Sequence, residues 1–319
     1  MNFSTFHRLP ITGHKDIDFV DIRLETDTSL YVDPERIALS NHPISASASH
    51  CIDDFFATLC QVAAERNSKR LYDMLSFGRE PNETHLGLSA SRSQGRGTSP
   101  EILMPIVEEM IREHLFDKGL ITQLGDLHLW TPNFGYDRLS DLTTNIIRAV
   151  LIDYTLEQYE YWGISNAGDI PAIFCMWNST THRWERREFP RISSGSYQTL
   201  LVPKCFVGRR MLSSPGELLQ KYALRYRQQE HLDIRSDLCH RKVDKNGVET
   251  WKPPAKKEIR AFEIKGTPDK AYLLEMGHRY PRMVDEFHTD HRFSYRSCPQ
   301  IMSDYELDKL LYGHDELAV

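Results

Sequence analysis

The residue types best suited to chemistry in this chain are carboxylates and a lysine placed at the ends of expected strands. Asp33, Asp137 and Lys204 each follow a short apolar run, Asp141 stands four residues beyond Asp137, and Glu80 lies in a polar loop. Phosphodiester cleavage needs carboxylates to hold one or two divalent ions and a cation near the developing charge. The set therefore predicts a metal-dependent nuclease acting on DNA or RNA. Asp33, Asp137 and Asp141 would be the Mg2+ or Mn2+ ligands, and Asp137, Lys204 and Glu80 the catalytic groups. A bacterial defence or DNA-processing setting is the expectation that goes with that chemistry. The bland alternative makes Asp137 a turn residue and Asp141 a helix N-cap, which accounts for both without catalysis.

Across residues 127–210 this arrangement resembles that of the PD-(D/E)xK nucleases, which put an acid and a lysine at neighbouring strand ends. Two departures keep the chain from being assigned to them. The acidic residue two places before the lysine is missing from Leu201-Val202-Pro203-Lys204, and a helix rather than a further strand follows Asp137. Glu263-Ile264-Lys265 has the right spacing but sits in a charge-rich helical stretch, where such a pair is ordinarily a solvated face.

Other constellations are partial. Ser91 to Thr98 (SRSQGRGT) precedes a helix start, so Gly95 and Gly97 could let backbone N–H groups approach a phosphate, with Arg92 and Arg96 as cofactor-binding cations. It is neither G-x-x-x-x-G-K-[ST] nor G-x-G-x-x-G, and a surface loop explains it equally. His85 stands near Glu80 and Glu83, a loop cluster that could ligate a metal or relay a proton. His278, His288 and His291 read as residues of a solvated helix face. No H-E-x-x-H, G-x-S-x-G or C-x-x-C occurs among the 14 histidines and six cysteines, so the thiols are expected to be free, in a reducing cytoplasm.

Net charge is −6 but uneven: Pro203 to Ile301 holds 20 Lys/Arg against 13 Asp/Glu, and the remainder 19 against 32. A basic C-terminal third faces polyanions more readily than an acidic one. That supports an alternative to catalysis, a nucleic-acid-binding or complex-assembly subunit that meets nucleic acid, and other protein subunits, through this third. No apolar run is long enough to span a membrane, and the first 16 residues lack the apolar core of a signal peptide, so no membrane partner is expected.

The elements that would position these groups read as α/β or α+β: a mixed sheet flanked by helices over residues 1–212, then a basic, mostly helical region over 213–319, a candidate subdomain. Strands are expected in Ile17–Val32, Gly119–Thr122, Leu127–Trp130, Ile170–Trp177 and Leu200–Val202, with Thr181–Phe189 as a polar hairpin arm. Helices are expected in His50–Leu75 on the stripe Ile52, Phe55, Leu59, from Ser99-Pro100 onward, and unbroken from Ser140 to Trp162. Ser45–Ser49 and Asp244–Pro254 read as linkers.

Overall fold

The computed structural model describes residues 1–78, 81–87, 99–165, 171–297 and 301–313. Its class is α+β, helices with small antiparallel sheets. The strands are β1 (Tyr31–Val32), β2 (Ala172–Asn178), β3 (Arg183–Phe189), β4 (Ser193–Ser194), β5 (Tyr197–Gln198), β6 (Val207–Gly208), β7 (His240–Val243) and β8 (Glu249–Lys252). Among the described residues they pair as four separate two-stranded ribbons, β1 with β6, β2 with β3, β4 with β5 and β7 with β8.

Such ribbons cannot make a core by themselves, and helices supply it. Helix Ser45–Ala64 buries Ile52, Phe55, Leu59 and Val62 along one stripe. It starts within the small polar run expected to be a linker, because serine and alanine there do not oppose a helix once Ala48 is buried. The expected long helix is two, Tyr136–Ile146 and Arg148–Tyr161, broken at Ile147. No Gly or Pro marks that break. Arg148 turns inward to Glu83 and Asn145 across it, and the apolar stripe continues on both sides. Leu127–Trp130, expected as a strand, is one buried helical turn. Four apolar residues carry too little periodicity to separate the two. Gly119–Thr122 and Leu200–Val202 form no strand, although Val202 lies buried and its carbonyl accepts the Val20 N–H at 3.0 Å.

The core is continuous from Phe3 to Leu311 and crosses position 212 without interruption. Helices Asp269–Arg279 and Arg282–Ser297 contribute Leu273, Met276, Met283 and Phe287, and helix Asp304–Leu311 contributes Leu307 and Leu311. Close packing goes far enough to require glycine at one helical position. A Cβ on Gly277 would stand 2.8 Å from the Trp130 ring, whose indole N–H is already given to the Leu120 carbonyl at 2.9 Å. Polar contacts fasten the last helix to the beginning of the chain. His14 holds Asp308 at 2.6 Å, the Tyr312 hydroxyl donates to Asp21 at 2.7 Å, and Arg23 donates to the Leu310 and Leu311 carbonyls.

Candidate functional site

Asp33 and Lys204, two of the groups singled out by sequence, have structural tasks. Asp33 ends β1 and caps helix Pro34–Leu39, as an acid before a proline at the first helical position favours. Its Oδ1 accepts the Glu35 N–H at 2.9 Å and its Oδ2 the Leu212 N–H at 2.7 Å, with Arg36 Nε at 3.4 Å. Lys204 Nζ donates to the His14 carbonyl at 2.7 Å and to Asp304 at 2.6 Å. It lies in a single helical turn, Lys204–Phe206, and not at a strand end. Asp137 is exposed in the first turn of helix Tyr136–Ile146, where negative charge meets the positive end of the helix. Burial and then the Asp137 charge push the Tyr31 phenol up to about 12. Asp141 lies one turn further on, half-buried, and its backbone carbonyl accepts the Asn145 side-chain amide at 2.7 Å. It is inside the helix, so it is not the cap that the bland reading made of it. Glu80, Arg92 and Arg96 lie outside the described residues. Of the Glu/His loop cluster, Glu83 pairs with Arg148 and His85 Nε2 faces the Gln198 carbonyl at 3.1 Å. Among the described residues no three His, Cys, Asp or Glu side chains are disposed to hold a metal ion.

One of those residues does belong to a dense buried polar cluster that sequence reasoning missed. Asp33, Glu35 and Arg36 are all buried in helix Pro34–Leu39 or at its cap. Opposite them, His288 and His291 project from helix Arg282–Ser297. They do not lie on a solvated face, for His288 is 5% exposed and its Nε2 meets Asp126 Oδ1 at 2.8 Å. Asp126, wholly buried, also accepts the Thr122 and Gln123 N–H groups at 2.8 and 3.1 Å. Burial would lower the His288 pKa, but the Asp126 and Glu35 carboxylates outweigh it and the net shift is upward. Glu35 takes the Ser213 hydroxyl. Burial, and then the Asp33 charge, raise its pKa.

Across the same seam His291 Nε2 meets Glu217 at 3.2 Å, with its Nδ1 3.9 Å from Glu35. That contact, with Lys221 at 2.6 Å, holds the Glu217 carboxyl down to about 2. Residues Leu218–Ala223 wind as a π-helix, a local widening often found where side chains must be re-aimed. Glu217, Tyr222 and His291 thereby line one cavity of about 100 Å³ with Glu35. Two carboxyls pushed apart in pKa across a histidine can hold and pass a proton. The space admits roughly three waters, not a nucleic acid. The one legible signal was Asp33-Pro34-Glu35-Arg36, three charged side chains in four residues beside a buried strand.

A second feature stands away from the body. Asp244–Pro254, expected as a linker, is most of a hairpin. Strands β7 and β8 pair Arg241 with Trp251 and Lys242 with Thr250. The turn is set by Asp244, whose carboxylate accepts the Asn246 and Val248 N–H groups at 2.8 Å each, and by Gly247 at φ 75°. Every residue of β7 is exposed, and of β8 only Trp251 is partly covered, with the Arg235 guanidinium 6.0 Å from its ring. Paired residues share a face of a ribbon, so His240, Lys242 and Lys252 present one basic face, with Lys245 in the turn. Arg241 pairs with Glu249 on the other face. Lys242, Lys245 and Lys252 form no ion pair among the described residues.

Fold and site together define an α+β protein with a buried acid–histidine seam and a projecting basic ribbon. The chain belongs to the family described as a domain of unknown function, DUF8370, whose model matches residues 9–214. Asp33, Glu35, Asp126, Asp137, Asp141 and Lys204 fall inside that match, whereas His288, His291 and the ribbon fall outside it. No curated protein and no solved structure matches the chain. No helix among the described residues is long and apolar enough to cross a membrane.

Proposed function

We propose that this chain is a nucleic-acid-binding subunit and that the β7–β8 ribbon is its contact. The observation that carries the reading is a two-stranded hairpin with both faces in solvent and a face of His240, Lys242 and Lys252. An isolated hairpin is marginal in water, and this one covers no core: Lys242, Lys245 and Lys252 stand exposed, while His240 is held by Glu258 at 2.9 Å. Unpaired lysines give phosphate contacts that release counterions, and a two-stranded ribbon fits the roughly 12 Å major groove of DNA. Trp251 adds an aromatic surface on which a base can stack. The test is binding to duplex and single-stranded oligonucleotides as a function of salt, with the three lysines replaced by alanine. Binding that weakens with salt and is lost in the variant is expected.

Incubation of DNA and RNA with the protein and Mg2+ or Mn2+ tests the metal-dependent nuclease expected from the sequence, and intact substrate would leave the binding reading alone.

A further inference from the structure

A groove of about 540 Å³ lies between helix Ser68–Leu75 and the β2–β3 hairpin, away from the seam. Its floor is aromatic and fixed. Trp184 gives its indole N–H to the Met74 carbonyl at 2.7 Å, and its ring lies 5.4 Å from that of Phe77. Trp177, beneath it, gives its own N–H to Asp54 at 2.7 Å. With both indole donors committed, neither ring can turn without losing a hydrogen bond. The groove is therefore lined by aromatic rings held in place.

The rim is basic. Arg183 is exposed and has no ion pair among the described residues, and Arg70 has only Glu65, at 3.8 Å. Asp73 is the acid among the lining residues and supplies a hydrogen-bond acceptor. The turn before Arg183 carries a cost. His182 is at φ 52°, the left-handed region that a glycine would occupy more easily. Its ring is held by Asp54 at 2.8 Å, the same carboxylate that fixes Trp177. Strain retained where glycine would relieve it marks a position held for its side chain. Here the side chain ties the hairpin turn, and with it Arg183, to the aromatic floor.

We infer that this groove binds a nucleotide, its base lying on Trp184 and Phe77 and its phosphate between Arg70 and Arg183. The volume is within the range of small-ligand sites. Rings with a negative π face and a guanidinium rim suit a planar base that carries an anion better than either part alone. The ligand chemistry is common to a free nucleoside monophosphate and to a phosphorylated strand end. The groove lies apart from the β7–β8 ribbon and its ligand does not depend on what the ribbon binds.

Tryptophan fluorescence of the full chain, titrated with AMP, CMP, adenosine, inorganic phosphate and a 5′-phosphorylated tetranucleotide, tests this. Saturable quenching by the monophosphates below ~1 mM is expected, with adenosine weaker by about tenfold and no quenching by phosphate alone. Arg183→Ala removes no ion pair or side-chain hydrogen bond among the described residues and should reduce AMP to the affinity of adenosine. Trp184→Phe gives up the indole N–H bond to the Met74 carbonyl but keeps an aromatic ring in the floor, and should remove most of the quench, with AMP binding then followed by calorimetry. A tetranucleotide that binds at least as tightly as AMP assigns the site to strand ends, and one that does not bind assigns it to free nucleotides. The Lys242, Lys245 and Lys252 variant should quench as the parent does, which separates failure of this site from failure of the ribbon. No saturable quenching by any nucleotide, or AMP affinity unchanged in Arg183→Ala, would overturn the inference.

Discussion

Asp126→Ala should be the most damaging single change in the seam. The residue is completely buried, and its loss removes the counter-ion of His288 at 2.8 Å together with the acceptor for Thr122 and Gln123. Removing one partner of a buried pair costs roughly 3–5 kcal/mol because the other charge stays buried and uncompensated. Thr122 is exposed and Gln123 half-buried, so the freed donors recover part of their loss from water. A total of about 4 kcal/mol follows, which at roughly 2 °C per kcal/mol for a large chain lowers Tm by about 8 °C. Asp126→Asn keeps a carbonyl oxygen and should cost about half as much. The pH dependence is a second signature. The His288 pKa is raised in the folded state, so its stabilisation is complete below its ordinary value of 6.5 and is lost as pH rises through the folded value. Urea unfolding at pH 6 and pH 8 should show the parent losing stability at the higher pH and Asp126→Asn losing less. A cost under ~1 kcal/mol for Asp126→Ala, or an unchanged pH difference in the asparagine variant, would refute the charged pairing across the seam.

Other outcomes follow from the same contacts. Gly277→Ala forces a Cβ to within 2.8 Å of the Trp130 ring and should destabilise the protein by about 1–3 kcal/mol in denaturant melts, against the gain an alanine normally gives inside a helix. Lys204→Ala releases a partly exposed pair with Asp304 and should cost only ~1 kcal/mol, while making helix Asp304–Leu311 more open to limited proteolysis. Acid should loosen the seam as well. Glu217 is held down to about 2 from 4.5, so the stability it contributes is present above pH 4.5 and lost as pH falls toward 2, and Glu217→Gln should flatten that part of a stability–pH profile.

Where the chain's local chemistry decides an element, the sequence was sufficient. The Ile52, Phe55, Leu59 stripe gave a helix, Ser99-Pro100 gave a helix start, and the polar arm at Thr181–Phe189 is strand over Arg183–Phe189. Where tertiary contacts decide, it was not. Leu127–Trp130 is helical because Trp130 packs between Leu120 and Gly277, partners 10 and 147 residues away. The break at Ile147 follows from Arg148 reaching Glu83, which no local pattern encodes. The seam illustrates the same limit in the site. Asp33 was recognisable as a strand-end acid, but its neighbour Glu35 gained meaning only when His288 and His291 arrived from some 250 residues further on. Those histidines were assigned to a solvated face because i, i+3 spacing describes a face without saying what covers it. The hairpin at Asp244 was hidden by its composition, since polar and charged residues with an Asn-Gly pair suit a linker and a solvated ribbon equally well.

The proposal that the ribbon contacts nucleic acid is tested most directly by the salt dependence of binding. Fluorescence anisotropy with a 20-base-pair duplex would be measured from 50 to 200 mM salt for the parent and for the variant with Lys242, Lys245 and Lys252 changed to alanine. Each phosphate contact contributes about 0.9 to the log–log slope, so three lost contacts should make it shallower by about 2.7. The parent should then lose about 40-fold more affinity than the variant over that range. Equal slopes for the two proteins, or no salt-dependent binding by the parent at 50 mM, would contradict the account.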